Sequence, residues 1–260
     1  MVSVGGRVAV VTGGGRGIGR AIAMGLGRAG VAVAVGARTR GEIDAVVDEV
    51  REAGGAAAAV LLDVTRPESV EAAVARAEAE LGAIDVLVNN AGIAESAAFA
   101  RTDPEMWERH LRVNVTGPYL MCRATLPGML ARGWGRVINI ASMAGLAGAP
   151  YVAAYTASKH GLVGLTRALA AEVAGKGVTV NAICPGFAAT DIVWNGARSI
   201  AARTGRDFEA AVAAMAGLNP GGRLIEPAEV ADAVLKLIGD DTLNGETVVL
   251  DGTAPHRREP

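Results

Sequence analysis

The sequence predicts an α/β fold built on a parallel sheet. Three observations carry this: short apolar runs alternate with segments of helical period, those runs are apolar almost throughout, and the first opens straight into a glycine cluster. Strands alternating with helices form βαβ units, and uniformly apolar strands belong to a sheet covered on both faces. In order, Arg7–Val11 is a β-branched strand and Ile18–Ala29 a helix, followed by a strand at Val31–Val35. Arg40–Ala53 is a charged amphipathic helix closed by Gly54 and Gly55, Val60–Leu62 a strand, and Pro67–Leu81 a helix opened by proline. Asp85–Val88, Arg136–Ile140, Val178–Ile183 and Thr247–Leu250 are the later strands, separated in part by helices at Pro104–Arg132 and Tyr155–Gly175. Residues 191–219 are polar and alanine-rich with three glycines, and read as a loop with short helices inserted before the last helix.

At 260 residues, 51% hydrophobic and 20% charged, the chain can bury one substantial core, and residues 1–260 are expected to form a single domain with a tail at 253–260. A net charge of −2 gives no bulk attraction to nucleic acid or an anionic membrane. No apolar run long enough to span a bilayer is free of breakers or charge, and MVSVGGRVAVV is too short for a signal segment, so a cytoplasmic protein is expected. Cys122 and Cys184 lack metal-ligand spacing, as do His110, His160 and His256, so no metal is implied.

The first strand runs into Thr12-Gly13-Gly14-Gly15-Arg16-Gly17-Ile18-Gly19. Glycine suits an abrupt strand-to-helix turn where backbone must approach a pyrophosphate, and the helix N-terminus then offers N–H groups to the anion. In a chain with 35 glycines such a cluster can also be a bare turn, but its place at the first βα junction favours a dinucleotide. An acid ending the second strand would bind the ribose 2′-OH of NAD, whereas arginine suits the 2′-phosphate of NADP. This sequence has Ala37-Arg38-Thr39 there, with Glu42 and Asp44 later, in the helix. Arg16 and Arg38 facing one phosphate would favour NADP(H) over NAD(H), unless both are merely solvated.

Tyr155 and Lys159 stand at i and i+4, on one helix face. An ammonium beside a phenol favours phenolate, bringing it toward acid/base use; alone, the pair could be a surface contact. Ser142 follows the strand ending at Ile140, at the carboxyl end of a parallel strand where ligands collect. Its hydroxyl can polarise a carbonyl there or simply cap a turn.

These pieces together resemble the short-chain dehydrogenase/reductase family, in its compact branch, over roughly Gly6 to Gly252. The resemblance rests on Thr12–Gly19, Asp63-Val64, Asn89–Gly92, Asn114, Ser142 thirteen residues before Tyr155, Tyr155–Lys159, and Pro185-Gly186 with Thr190. It implies a Rossmann-like, doubly wound, seven-stranded parallel sheet with helices on both faces. It implies a catalytic tetrad of Asn114, Ser142, Tyr155 and Lys159: Ser142 orienting the substrate oxygen, Tyr155 moving the proton, Lys159 lowering the phenol pKa and bonding the nicotinamide ribose, and Asn114 holding a relay water. Gly13, Gly15, Arg16, Gly17, Ile18, Gly19, Arg38 and Thr39 would hold the phosphates. Asp63 and Val64 would contact adenine, Asn90, Ala91 and Gly92 the adenosine side, and Pro185, Gly186, Ala188 and Thr190 the nicotinamide end. Asn89–Gly92 could equally tie neighbouring strands together.

Within the family, the pattern is nearest to β-ketoacyl reductases and aromatic polyketide ketoreductases. The expectation is therefore an NADP(H)-dependent ketoreductase acting on a small-molecule or carrier-bound ketone. The alternatives are an NAD-dependent dehydrogenase of a secondary alcohol and a non-catalytic nucleotide-binding regulator. A homotetramer, or a dimer, is implied through the helices at Pro104–Arg132 and Tyr155–Gly175. Arg132 and Lys176 could receive an acidic acyl carrier protein, or cap helices. Pocket walls are expected from Glu95, Met143, Ala144, Tyr151, Phe187 and Trp194, with Ile192 and Trp194 in a lid or in plain packing.

Overall fold

The fold is that of a computed structural model describing residues 4–253; His256 and most of the expected tail lie outside them. The first half runs β1 (Val8–Thr12), α1 (Gly17–Arg28), β2 (Ala32–Ala37), α2 (Arg40–Glu52), β3 (Ala57–Leu61), α3 (Pro67–Leu81) and β4 (Val86–Asn89). The second runs α4 (Pro104–Leu111), α5 (Gly117–Arg132), β5 (Gly135–Ile140), α6 (Ala153–Val173), β6 (Val178–Pro185), α7 (Asp191–Thr204), α8 (Phe208–Ala216), α9 (Pro227–Gly239) and β7 (Thr247–Leu250).

All seven strands pair in parallel, in the order β3-β2-β1-β4-β5-β6-β7. The chain builds outward from β1 to β3, then crosses back to lay β4 against the other side of β1. This reversal opens a crevice at the carboxyl ends of β1 and β4, the place where such sheets bind ligands. Alternate strand residues serve opposite faces. Val11, Val33, Val35 and Ile138 pack with Ile22 and Leu26 of α1, Ile43 and Val50 of α2, and Val234 of α9. Val10, Leu87 and Val137 pack with Val70 of α3, Met121 and Met129 of α5, and Val173 of α6. Each such fully buried side chain contributes about 1.5–3 kcal/mol, so burial of two faces holds the sheet.

Two helical regions differ from the sequence-based expectation. The helix expected over Pro104–Arg132 is interrupted by a π-helical turn at Arg112–Thr116, whose wider register turns Asn114 inward to full burial. Residues 191–219 are mostly helix: α7 and α8 form a hairpin with a small core of Val193, Ala197, Ala211 and Met215. An Asp207 cap on α8 and a left-handed Gly205 after α7 make the turn between them.

Candidate active site

The glycine turn is built where the sequence places it. Gly13 and Gly17 have positive φ, and a Cβ on Gly13 would come within 2.9 Å of the Ala91 backbone. One on Gly19 would strike the Gly13 carbonyl oxygen. Helix α1 starts without a side-chain cap and without an acid in its first turn, leaving its N–H groups to an anion. These features fit a nicotinamide dinucleotide, whose pyrophosphate would lie over Gly13–Gly19, with Ile18 packed below on the core.

Asn90 serves this turn structurally. Its side chain donates to the Thr12 and Gly13 carbonyls, both at 3.0 Å, while the Thr12 hydroxyl accepts from the Asn90 and Ala91 N–H groups. Asn89 ties strands together, donating at 2.8 Å to Asn139, which in turn donates to Thr166. Both amides are occupied by the protein itself. Val64 is likewise committed to packing: a Cβ on Gly117 would lie 2.8 Å from its methyl group.

The charges past the ends of β2 and β3 are mixed. Arg38 and Thr39 are exposed past β2. Burial raises the Asp63 carboxyl, but hydrogen bonds from Thr65 and the fields of Arg38 and Arg66 outweigh it and hold the group below the usual carboxylate range. Arg16 does not stand alone with Arg38: it pairs at 3.3 Å with Asp191, the first residue of α7. Glu42, in the first turn of α2, packs against Gly15, where an added Cβ would meet its Cβ at 2.9 Å. The sequence places this carboxylate in the helix after the strand end; its approach to Gly15 comes from the fold.

Ser142, Tyr155 and Lys159 converge at the carboxyl ends of β5 and β6. Ser142 Oγ accepts from Ala144 N–H at 3.1 Å, so the capping role is present alongside any catalytic one. Lys159 Nζ donates to the Ile140 carbonyl at 2.8 Å and lies 5.8 Å from the Tyr155 ring centroid. Burial drives Lys159 down to about 8. Burial also pushes the Tyr155 phenol above its ordinary value, against the pull of the Ser142 hydroxyl. Here the Lys159 ammonium is turned toward Ile140, and the part-buried phenol is moved by its surroundings and by Ser142 rather than by the lysine. Asn114 bonds the loop after β4, accepting from Ile93 N–H at 2.9 Å and donating to Ile93 carbonyl at 3.0 Å and Ser158 at 2.9 Å.

The far wall comes from the segment after β6. Pro185 ends that strand, and Gly186 has no room for a Cβ beside Asn219 and Met143. Ala188 is buried and bridges Ile225, while Thr190 approaches the glycine turn at Gly17. Asn219, unremarked in the sequence, is 3% exposed; its amide accepts from Phe187 N–H and donates to the Phe187 and Arg223 carbonyls. No sequence signal marks it, since its partners are backbone atoms brought near by the fold.

Among the expected pocket walls, Phe187 and Trp194 join the α7–α8 core, with the Trp194 and Phe208 rings 6.3 Å apart. Ile192 remains 55% exposed on α7. Met143 and Ala144 lie in the short turn after Ser142. Tyr151 is 67% exposed with φ 67°, and is the only non-glycine residue with positive φ among the described residues. Its carbonyl accepts from Ala97 N–H at 2.8 Å, joining the two loops that flank the cleft. Glu95 forms a bidentate pair with Arg109 at 3.1 and 2.9 Å. Arg132 and Lys176 lie at the other end of the sheet, Arg132 bound to the Ile84 carbonyl and near Asp85 just before β4, and Lys176 just before β6.

Comparison with known proteins agrees with this geometry. The family model described as short chain dehydrogenase matches residues 7–200. An acetoacetyl-CoA reductase of Shinella zoogloeoides is 41% identical over 248 residues, covering 95% of this chain and 97% of that protein. The 3-oxoacyl-[acyl-carrier-protein] reductase FabG of Vibrio harveyi is 38% identical, with 95% and 96% covered. A D-beta-hydroxybutyrate dehydrogenase of Rhizobium meliloti is 38% identical, with 95% and 97% covered. A crystal structure of an actinorhodin polyketide ketoreductase variant with NADPH superimposes with a TM-score of 0.91 at 38% identity, over 97% of this chain and 98% of that one. Alike to these proteins in sequence and in the path of its backbone, this chain belongs to the short-chain dehydrogenase family.

Proposed function

We propose that this oxidoreductase reduces a ketone of the β-ketoacyl, polyketide or aryl type at the expense of NADPH. The observation that carries the reading is the convergence of Ser142, Tyr155 and Lys159 at the carboxyl ends of β5 and β6, on the same edge of the sheet as the glycine turn. The NADPH in the ketoreductase crystal structure supports the choice of cofactor, as does Arg38 past the end of β2. A bound nicotinamide would supply the hydride. Gly13–Gly19 would take the pyrophosphate, Arg38 the 2′-phosphate, and Lys159 with Pro185, Gly186, Ala188 and Thr190 the nicotinamide end.

Ser142 donates a hydrogen bond to the ketone oxygen and polarises it. Tyr155, kept protonated by its burial, delivers a proton to that oxygen as it gains negative charge, completing the alcohol. Asn114 holds the Ile93 loop against the site and keeps Ser158 in place. The α7–α8 hairpin closes the cleft as a lid hinged at Thr190 and Asn219. The names of the acetoacetyl-CoA and 3-oxoacyl-[acyl-carrier-protein] reductases support a thioester substrate. A carrier-bound form is tested by comparing turnover of free and carrier-linked thioesters.

The assembly we favour is a homotetramer, or a dimer, joined through α4, α5 and α6; exposed Trp107 and Tyr119 on the first two support it. A cytoplasmic setting completes the reading, and the two buried, unpaired cysteines are consistent with it. No helix among the described residues is long and apolar enough to cross a membrane. A second reading, oxidation of a secondary alcohol with NAD, is supported by Glu42 beside Gly15 and by the hydroxybutyrate dehydrogenase among the relatives.

The test is a panel of ketones, thioesters and alcohols assayed with both cofactors, alongside Arg38→Asp. The reading expects ketone-dependent oxidation of NADPH. It also expects Arg38→Asp to weaken NADPH binding by roughly tenfold or more through loss of a charge-assisted bond, with little change for NADH. Equal or tighter NADH binding by the wild-type protein would transfer support to the second reading.

A further inference from the structure

His110, in α4, is fully buried, and none of the roles above uses it. Its Nδ1 lies 2.8 Å from the Met106 carbonyl oxygen, which can only accept. The hydrogen therefore sits on Nδ1, leaving Nε2 bare, and Nε2 accepts from Glu95 N–H at 3.1 Å. One turn later Asn114 grips Ile93 through both its N–H and its carbonyl. His110 in α4 and Asn114 in the π-helical turn after it thus hold Glu95 and Ile93 in the segment that forms a wall of the cleft. The wall lies close to the chemistry: a Cβ on Gly92 would be 3.2 Å from Asn114 Oδ1 and 3.6 Å from Lys159 Nζ. The other side of the imidazole meets Tyr155, ring centroids 6.4 Å apart and planes at 74°, an edge-to-face contact.

We propose that His110 is a positioning residue for the proton transfer: as a hydrogen-bond acceptor it fixes the Ile93–Glu95 wall, and through its ring it fixes Tyr155 relative to that wall. The proposal rests on the reductase reading for its kinetic consequence. The clamp itself is a matter of geometry. A histidine present only to fill the core would lower stability when replaced, and restoring an acceptor would bring back nothing specific.

The experiment compares the full chain with His110→Leu and His110→Gln. Leucine fills space without an acceptor, whereas glutamine carries its amide oxygen the same number of bonds from the backbone as Nε2. An N–H that loses its partner frees the wall it fixed, so His110→Leu is expected to lower kcat for NADPH-dependent ketone reduction by about tenfold. Its NADPH Kd should stay within roughly twofold, because the glycine turn is held by Asn90 instead. His110→Gln should recover kcat to within about threefold, since one acceptor is restored. Hydrogen exchange at the Glu95 amide should quicken in the leucine variant and slow again with glutamine.

An unchanged kcat in the leucine variant, equal impairment of both variants, or unaltered exchange at Glu95 would each overturn the proposal. Should His110→Leu fail to fold, His110→Gln decides alone, near-normal kcat supporting the proposal and severe loss overturning it. Absence of NADPH-linked turnover in the wild-type protein would sink the reductase reading separately, and Glu95 exchange would still decide the clamp.

Discussion

Lys159 is 5% exposed, and its pKa falls from an ordinary lysine's to about 8 because the ammonium is buried. Between about 8 and 10.4 the unfolded chain therefore binds more protons than the folded one, so stability rises with pH across that window. Below it both states are charged and the penalty is constant. The full shift corresponds to ~3 kcal/mol. Urea unfolding of the wild-type protein and Lys159→Met, at several values from about pH 7.5 to 10.5, isolates this effect. The wild-type protein should gain stability over the variant as pH rises; parallel curves would show that the ammonium is better solvated than its burial implies. Tyr155 is pushed the opposite way by the same burial, so the phenol stays in the proton-donating form that reduction requires.

At the scale of elements, the Asn219 side chain braces the segment after β6 beside the backbone bridge from Ala188 to Ile225. Replacing Asn219 with alanine strips partners from Phe187 N–H and from the Phe187 and Arg223 carbonyls. Asn219→Ala should cost about 2–4 kcal/mol of stability by thermal melting and raise the KM for NADPH, since Gly186 and Thr190 lose their support. A melt within a degree of wild type would show that water replaces all three bonds.

What the sequence revealed about elements follows from where the signal lay. Helix α3 has its expected bounds because Pro67 starts it and Gly82 follows its end. Strand β3 runs over Ala57–Leu61 rather than Val60–Leu62: three alanines carry little strand propensity, and pairing with β2 makes them a strand. The π-helical turn at Arg112–Thr116 stands directly before Gly117-Pro118, a break within the stretch read as one helix, and its width depends on tertiary contacts at Asn114. The α7–α8 hairpin reads in the sequence as a loop with short helices, because its alanine and glycine content masks the stripe of Val193, Ala197, Ala211 and Met215. Within the site, Ser142, Tyr155 and Lys159 were legible from spacing and strand ends. Asn219 and the His110 contacts were not, being bonds to backbone atoms distant in sequence.

For the molecule as a whole, the two ends of the sheet do different work. The carboxyl ends carry the glycine turn, Ser142 and the Pro185 segment. The amino ends carry a polar knot in which the buried Arg136 donates to the Ile238, Gly135 and Gly177 carbonyls and stacks on Trp134, with Arg7 also stacked on that ring. Arg132 and Asp85 belong to this end, Arg132 donating to the Ile84 carbonyl. Phe99, Trp107 and Tyr119 are exposed large apolar side chains, and the proposed assembly would cover the last two. Light scattering should give a tetramer or a dimer, and Trp107→Asp with Tyr119→Asp should shift it toward monomer. A monomeric wild-type protein would remove that part of the proposal.

The account turns on Tyr155 as the group that hands over the proton. Its most direct test is NADPH consumption, followed at the nicotinamide absorbance band with a ketone turned over by the wild-type enzyme, for wild type and Tyr155→Phe. Loss of a general acid's contribution gives an expected fall in kcat of about 10²–10⁴-fold with NADPH affinity nearly unchanged. Turnover of the phenylalanine variant at the wild-type rate would contradict the account.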